Sequence, residues 1–329
     1  MIIVKDIIFK KLTKISVRKG IIMENYCIET KKLTKCYKDF AALKQVDIRV
    51  RRGEIYGLIG DNGAGKTTFL KIAAGLLFPT EGEIKLFGKN SERALEKERS
   101  RIGVLIDDVG FYPQLTIEQN MEYFRIQKGI PGKESVREAL EMTGLAAYRK
   151  KKCRELSLGM KQRLGLAIAL LGVPEVLILD EPINGLDPSG IIEMRNLLLK
   201  LNQEKNITIL LSSHILSELE HMATVYGFLK NGEFLEQVTA KELRNRCREY
   251  VEIQVSDAEQ YAVLLEKSFG TGDYQVLPDG KVHIFRTDMP IEAYSKLAAA
   301  NGLAVVSLLR HQQTLEDYYI HLKKGGRML

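Results

Sequence analysis

Gly60-Asp61-Asn62-Gly63-Ala64-Gly65-Lys66-Thr67-Thr68 fits the pattern GxxxxGK[ST] without a mismatch. It follows an apolar run, Ile55–Ile59, that reads as a strand, and it opens a helical run, Thr67–Gly75. Strand, glycine-rich turn and helix together are the context in which this pattern cradles phosphate. The glycines let the backbone curl until its N–H groups point at phosphate oxygens, and the helix N-terminus adds a favourable dipole. Gly60, Asp61, Asn62, Gly63, Ala64, Gly65, Lys66, Thr67 and Thr68 are therefore expected to bind a nucleoside triphosphate. Lys66 is expected to pair with its β- and γ-phosphates, and the Thr67 hydroxyl to ligate Mg²⁺. The bland alternative is an accidental turn, and a strand and a helix at the right places weigh against it.

The partner of that loop lies further along the chain. In Val176-Leu177-Ile178-Leu179-Asp180-Glu181, four apolar residues predict a buried strand with two acids at its C-terminal end. Open α/β sheets keep their sites at that end. Asp180 suits Mg²⁺ ligation, and Glu181 suits a general base that polarises an attacking water. Between and around these motifs, short β-rich runs (Val46–Val50, Glu54–Ile59, Ile207–Leu211) alternate with helical patterns. The near-continuous apolar runs imply a sheet buried on both faces. Ile117–Lys128, Ser135–Thr143 and Gly159–Leu171 are three helical patterns in succession, which predicts a helical insertion at about 107–170.

Leu156-Ser157-Leu158-Gly159-Met160-Lys161-Gln162-Arg163 resembles the LSGGQ signature of the ATP-binding cassette (ABC) family, with Leu158 and Met160 departing from the commonest form. Taken alone, the run would be a helix start capped by Ser157. The rest of the family's order is also present. Gly185-Leu186-Asp187 resembles the D-loop, His214 after Ser212-Ser213 matches the switch histidine, and Tyr37 matches the aromatic that stacks on adenine. The resemblance implies that Ser157 and Gly159 grip the γ-phosphate of ATP held by a facing protomer. It also makes Glu181, His214 and Lys66 the catalytic set. Where the family carries a Gln sensing Mg²⁺ and the membrane partner, this chain has Asp107. The stretch Ile102–Thr116 looks like the bacitracin- and lantibiotic-resistance exporter branch, which has an acidic residue there. The expected metal ligands are thus Thr67, Asp180 and Asp107; the plainer reading of Asp107 and Asp108 is two solvated loop acids.

The fold class expected is α/β: a P-loop ABC ATPase core with a helical insertion, followed by a small α+β domain. The boundaries expected are a basic extension over 1–22, the ATPase domain over 23–238 and an accessory domain over 239–329. In the last, the order βαββαβα suggests a ferredoxin-like split βαβ unit. Its strands are read at Tyr250–Val255, Tyr274–Leu277, Lys281–Phe285 and Leu303–Leu309.

Charge and composition narrow the alternatives. The formal net charge is +7, with 45% hydrophobic and 28% charged residues. Residues 1–22 hold Lys5, Lys10, Lys11, Lys14, Arg18 and Lys19 against Asp6 alone, so the remaining chain is nearly balanced. That balance is no footprint for nucleic acid. Two readings of 1–22 stand, a start codon assigned upstream of Met23 or a basic segment touching anionic lipid or a partner; the intact mass distinguishes them. Cys27, Cys36, Cys153 and Cys247 form no CxxC pair, which speaks against zinc and a disulfide framework. The longest apolar stretch, Leu164–Val173, is about half the ~20 residues that cross a bilayer.

The reading that follows is the ATP-hydrolysing subunit of an ABC exporter. Its cofactors would be ATP and Mg²⁺. It would be a homodimer bridged by ATP, peripheral on the cytoplasmic face of the membrane and driving a permease on a separate chain. Its cargo would be an antimicrobial peptide or drug. The alternative is a soluble ABC ATPase acting on a non-membrane partner.

Overall fold

The computed structural model describes residues 26–107, 110–247, 249–270, 272–285, 288–312 and 314–324. The basic stretch 1–22 lies outside the described residues. The chain divides into two compact units, with the division between Gln237 and Val238.

The first unit is built on a ten-stranded sheet. Its heart is parallel: β4 (Ile55–Ile59) lies between β8 (Thr208–Ser213) and β9 (Val225–Lys230), and β7 (Val176–Leu179) pairs with β8 on one side and with β6 (Ile102–Leu105) on the other. Every residue of β4, β7 and β8 is buried. An unbroken apolar strand is what a sheet covered on both faces requires. Beside this core stand β1 (Tyr26–Tyr37), β2 (Phe40–Val46), β3 (Arg49–Arg51), β5 (Glu81–Leu86) and β10 (Glu233–Thr239). The order is β3-β1-β2-β10-β9-β4-β8-β7-β6, and β5 pairs with β1.

The expected strand at Val46–Val50 is a correction. β2 ends at Val46 and β3 starts only at Arg49. A buried threonine fills the break: the Thr30 hydroxyl donates to Val46 O (3.0 Å) and accepts from Ile48 N (2.9 Å). A side chain thus replaces two ladder partners, which a scan for apolar alternation cannot detect.

α1 (Lys66–Ala74) leaves the glycine-rich turn, and α2 (Glu92–Arg99) leads into β6. Between β6 and β7 come α3 (Ile117–Gln127), α4 (Glu134–Met142) and α5 (Leu158–Leu170). A capping box at Thr116 and Gln119 starts α3, and Ser157 caps α5. Leu164 through Leu170 are all buried, whereas the first turns of α5 are not. Gly103 of β6 allows this packing: a Cβ there would sit 2.2 Å from Ala169 O. Asp187 caps α6 (Pro188–Lys205), which returns the chain to β8, and α7 (Leu216–Glu220) joins β8 to β9. No helix among the described residues is long and apolar enough to cross a membrane.

An ion cluster fastens the starts of the parallel strands. Glu175 accepts from Arg101 Nε (2.7 Å) and Nη2 (2.9 Å) and from Arg52 Nη1 (2.5 Å), while the Arg101 guanidinium sits 3.6 Å from the centre of the Phe87 ring. The Arg101 hydrogen bonds, with Arg52 behind them, hold the Glu175 carboxyl down at about 2. A depressed carboxyl stabilises fully above its ordinary value and loses that contribution as pH falls toward its folded value. The melting-temperature gap between the parent and Glu175→Gln is therefore expected to narrow from about pH 5 to about pH 2. A gap constant across that window would refute the assignment. The side chain is 45% exposed, so the effect is screened and small.

The second unit carries α8 (Ala240–Arg246), β11 (Glu249–Val255), α9 (Ala258–Phe269), β12 (Tyr274–Val276), β13 (Lys281–Ile284), α10 (Ile291–Ala300), β14 (Val305–Gln312) and α11 (Leu315–Lys323). Its antiparallel sheet has the order β12-β13-β11-β14, the arrangement of a split βαβ unit. Val251, Ile253, Val282 and Ile284 meet Tyr261, Leu265 and Tyr294 in its core. The last strand begins two residues later than Leu303 because Leu303 N closes α10, donating to Ala298 O (3.0 Å) after Gly302 turns left-handed.

Candidate functional site

Three parallel strands end side by side, and each delivers one part of the site. After β4 the chain enters Gly60–Gly65, where a Cβ on Gly60 would lie 2.6 Å from Leu229 O and one on Gly65 2.5 Å from Ala42 O. Gly65 also needs a φ of +107°, which side-chain-bearing residues rarely adopt. This conformation points the first amides of α1 at the space above the sheet. Lys66 is buried and folds back over the loop, its Nζ donating to Gly60 O (2.7 Å) and Asp61 O (3.3 Å).

Asp180 and Glu181 follow β7. The Thr67 hydroxyl donates to Asp180 Oδ2 at 2.7 Å. Glu181 Oε1 lies 3.3 Å from Lys66 Nζ, and Glu181 Oε2 lies 2.8 Å from His214 Nδ1 and accepts from His214 N at 3.3 Å. A carboxylate only accepts, so the ring proton belongs on Nδ1 and Nε2 is left facing away from Glu181. Glu181 has a φ of +48°, a left-handed backbone uncommon for its type. Such outliers persist where the surroundings enforce them, commonly at functional sites.

Ser212, at the end of β8, does much of that enforcing. It is fully buried; its hydroxyl donates to Asp180 Oδ1 (2.5 Å) and accepts from Glu181 N (2.9 Å). One hydroxyl therefore fixes both acids. The sequence reading used Ser212 only as a neighbour of His214. A polar residue ending an apolar strand beside the Asp180 strand was the available signal. Hydrogen bonds to charged groups are worth about 1.5–3 kcal/mol. Ser212→Ala is therefore expected to lower ATP turnover by roughly tenfold or more, with the affinity for metal-free ATP little changed. Steady-state kinetics beside metal-free nucleotide titration decide it; unchanged turnover would refute the role.

Thr67 and Asp180 are hard oxygen donors held against each other, which suits Mg²⁺. Among the described residues no group of three or more His, Cys, Asp or Glu could hold a metal by itself. An ion here would take its other ligands from phosphate and water, as Mg²⁺ at nucleotide sites does. Asp107 Oδ2 pairs with Lys71 Nζ on α1 at 2.8 Å. That hydrogen bond raises the Lys71 ammonium above its ordinary value, helped by the charges of Asp107 and Asp180. Lys71 is the second residue that the sequence reading missed, although it follows Thr67 by one helical turn.

Tyr37 ends β1 with 47% of its surface exposed and Lys35 Nζ over its ring, 5.2 Å from the centre. Ser157 and Gly159 are elsewhere. They line a cleft of about 830 Å³ with Gly185, Asp187 and Arg163 that contains no residue of the glycine-rich loop. Ser157 Oγ accepts from Met160 N (3.3 Å), capping α5. Leu158 reaches toward Gly185, where a Cβ would lie 3.1 Å from Leu158 Cδ2. Asp187 accepts from the Ser189 hydroxyl (2.6 Å), which holds its carboxyl below the usual range.

The ABC transporter family model matches residues 43–184. The bacitracin transport ATP-binding protein BcrA of Enterococcus faecalis is 43% identical over 305 residues, 93% of this chain and 98% of that one. Its namesake in Bacillus licheniformis is 42% identical, over 91% and 98%. The lantibiotic transport ATP-binding protein SrtF of Streptococcus pyogenes is 39% identical, over 63% of this chain and 89% of that one. Among solved structures, cbiO1 of Clostridium perfringens, part of the ABC transporter complex cbiONQ, superposes with a TM-score of 0.61 at 31% identity, covering 67% of this chain and 91% of that one. A dimeric ATP-binding cassette in a post-hydrolysis state with ADP and Pi superposes with a TM-score of 0.59 at 29% identity, covering 65% and 98%.

Proposed function

The chain belongs to the ATP-binding subunits of ABC transporters, and from that premise we propose that it hydrolyses ATP to drive a permease on a separate chain. The observation that carries the chemistry is the convergence of Lys66, Thr67, Asp180, Glu181 and His214 at the ends of β4, β7 and β8. Gly60 through Thr68 hold the phosphates, and Tyr37 stacks on adenine. Thr67 and Asp180 would hold Mg²⁺, which would neutralise phosphate charge. Glu181 accepts a proton from the attacking water, and the His214 ring, fixed by Glu181, faces the γ-phosphate. Lys66 leaves the carbonyls of Gly60 and Asp61 for the β- and γ-phosphates.

Ser157 and Gly159 line a cleft apart from this set, so they serve the nucleotide of a second copy. Two chains facing each other complete two sites, and ATP bridges them. The dimeric cassette among the structural relatives supports that arrangement. The cargo is an antimicrobial peptide or drug, in keeping with the bacitracin and lantibiotic transport relatives. The protein then works on the inner face of the cell membrane. The test is light scattering of Glu181→Gln with and without ATP. A dimer that forms only with nucleotide supports the reading, whereas ATP binding by a protein that stays monomeric would remove the facing-copy arrangement.

A further inference from the structure

β8 ends in two adjacent serines, both fully buried. Side chains alternate faces along a strand, so the two hydroxyls leave the sheet on opposite sides. Ser212 bonds to Asp180 and Glu181. Ser213 turns instead to the chain that follows it. Its Oγ accepts from Ile215 N at 3.0 Å and donates weakly to Ile215 O at 3.4 Å. A serine hydroxyl bound to the amide two residues on closes a small turn over the residue between them. That residue is His214. His214 N donates to Glu181 Oε2 at 3.3 Å, and the ring Nδ1 lies 2.8 Å from the same oxygen. Amide and ring converge on one carboxylate oxygen, so the direction of the main chain at His214 decides where its ring can sit. The helix that follows does not fix that direction at its start, because α7 has five residues and no side chain caps it. Its anchors come further on, in the buried Leu219 and in Arg195 Nη1, which donates to Glu218 Oε2 at 2.9 Å. Between the strand and those anchors, the Ser213 hydroxyl ties down the main chain that carries His214.

We propose that Ser213 is a positioning residue for His214, its hydroxyl closing the turn that keeps the imidazole on Glu181 and aimed at the γ-phosphate. This rests on the reading of His214 as the histidine that faces the γ-phosphate. The two serines then divide the site by face: Ser212 fixes the acids, and Ser213 fixes the histidine that meets one of them. Without the Ser213 hydroxyl the Ile215 amide loses its partner, and the turn relaxes to find another. His214 then spends less time on Glu181. The glycine-rich loop stays as it is, since its shape comes from Gly60 and Gly65 against Leu229 O and Ala42 O.

The test is ATP turnover and ATP affinity of the full chain. Ser213→Ala removes the hydroxyl and is expected to lower turnover roughly three- to tenfold, the size of one lost hydrogen bond, with ATP affinity little changed. Ser213→Thr and Ser213→Val share a shape and differ in the hydroxyl, so they separate its role from any strain of the added methyl groups. The Thr variant should turn over ATP faster than the Val variant by about the same factor. Adding Ser213→Ala to His214→Ala should cost no further turnover, because no ring remains to be aimed. A serine that merely supports the fold would lower turnover equally in both backgrounds. Equal turnover in the Thr and Val variants, or a further loss on top of His214→Ala, overturns the inference and leaves the ATPase reading standing. A His214→Ala protein as active as the parent would remove the reading of His214 and the inference with it.

Discussion

Glu181→Gln is expected to lower ATP turnover by about 10²–10⁴-fold, the usual contribution of a positioned general base. The amide keeps the size of the side chain and can still accept from His214 Nδ1, which now lies 2.8 Å from Glu181 Oε2. It cannot take a proton from water. Because Lys66 is 3.3 Å from Glu181 Oε1, the substitution also removes a counter-charge from a buried ammonium. That change favours phosphate in its place, so ATP affinity is expected to hold or rise. Loss of turnover with retained binding, read by phosphate release and nucleotide titration, is the signature of a missing base. Equal loss of both would mean that Glu181 is structural and that its left-handed backbone serves only the turn after β7.

The second large effect belongs to Lys66. Lys66→Met keeps the length and apolar stem of the side chain and deletes the charge. Nζ holds two carbonyls of its own loop, Gly60 O and Asp61 O, so the ammonium is ready to exchange these acceptors for phosphate oxygens. Each hydrogen bond to a charged group contributes about 1.5–3 kcal/mol, so affinity for ATP is expected to fall roughly tenfold to hundredfold. The loop itself should survive, because its shape depends on Gly60 and Gly65 fitting against Leu229 O and Ala42 O. A melting temperature close to the parent's, with binding lost, would fit. Unaltered binding would sink the phosphate assignment.

How much of this was legible beforehand depends on what kind of force sets each feature. The loop at Gly60–Thr68 and the acids at Asp180 and Glu181 are local patterns whose chemistry dictates residue type and spacing, and they stand together as expected. The buried strands β7 and β8 announced themselves through unbroken apolar runs. The break between Val46 and Arg49 did not, because it depends on Thr30, distant in sequence and adjacent only in the sheet. Ser212 was hidden for the same reason, since its value lies in reaching across from β8 to β7. Asp107 stands out in the sequence as an acid where the resemblance expects a Gln, but its Lys71 partner sits on another element, and only the fold brings the two together. Contacts between strands and helices far apart in sequence have no period for a single-sequence reading to find.

The tight seat of Gly103 against Ala169 has one more consequence. It makes the C-terminal end of α5 a fulcrum. Carbonyl and Cα are already in contact there, so the helix cannot slide inward, and its buried last turns resist lifting. The opposite end, at Ser157, is the less buried arm, about 18 Å away at ~1.5 Å per residue. Tilting that arm by about 10° carries Ser157 through roughly 3 Å, about the length of one hydrogen bond. A motion too small to disturb the sheet is thus large enough to make or break a grip on a phosphate presented from outside.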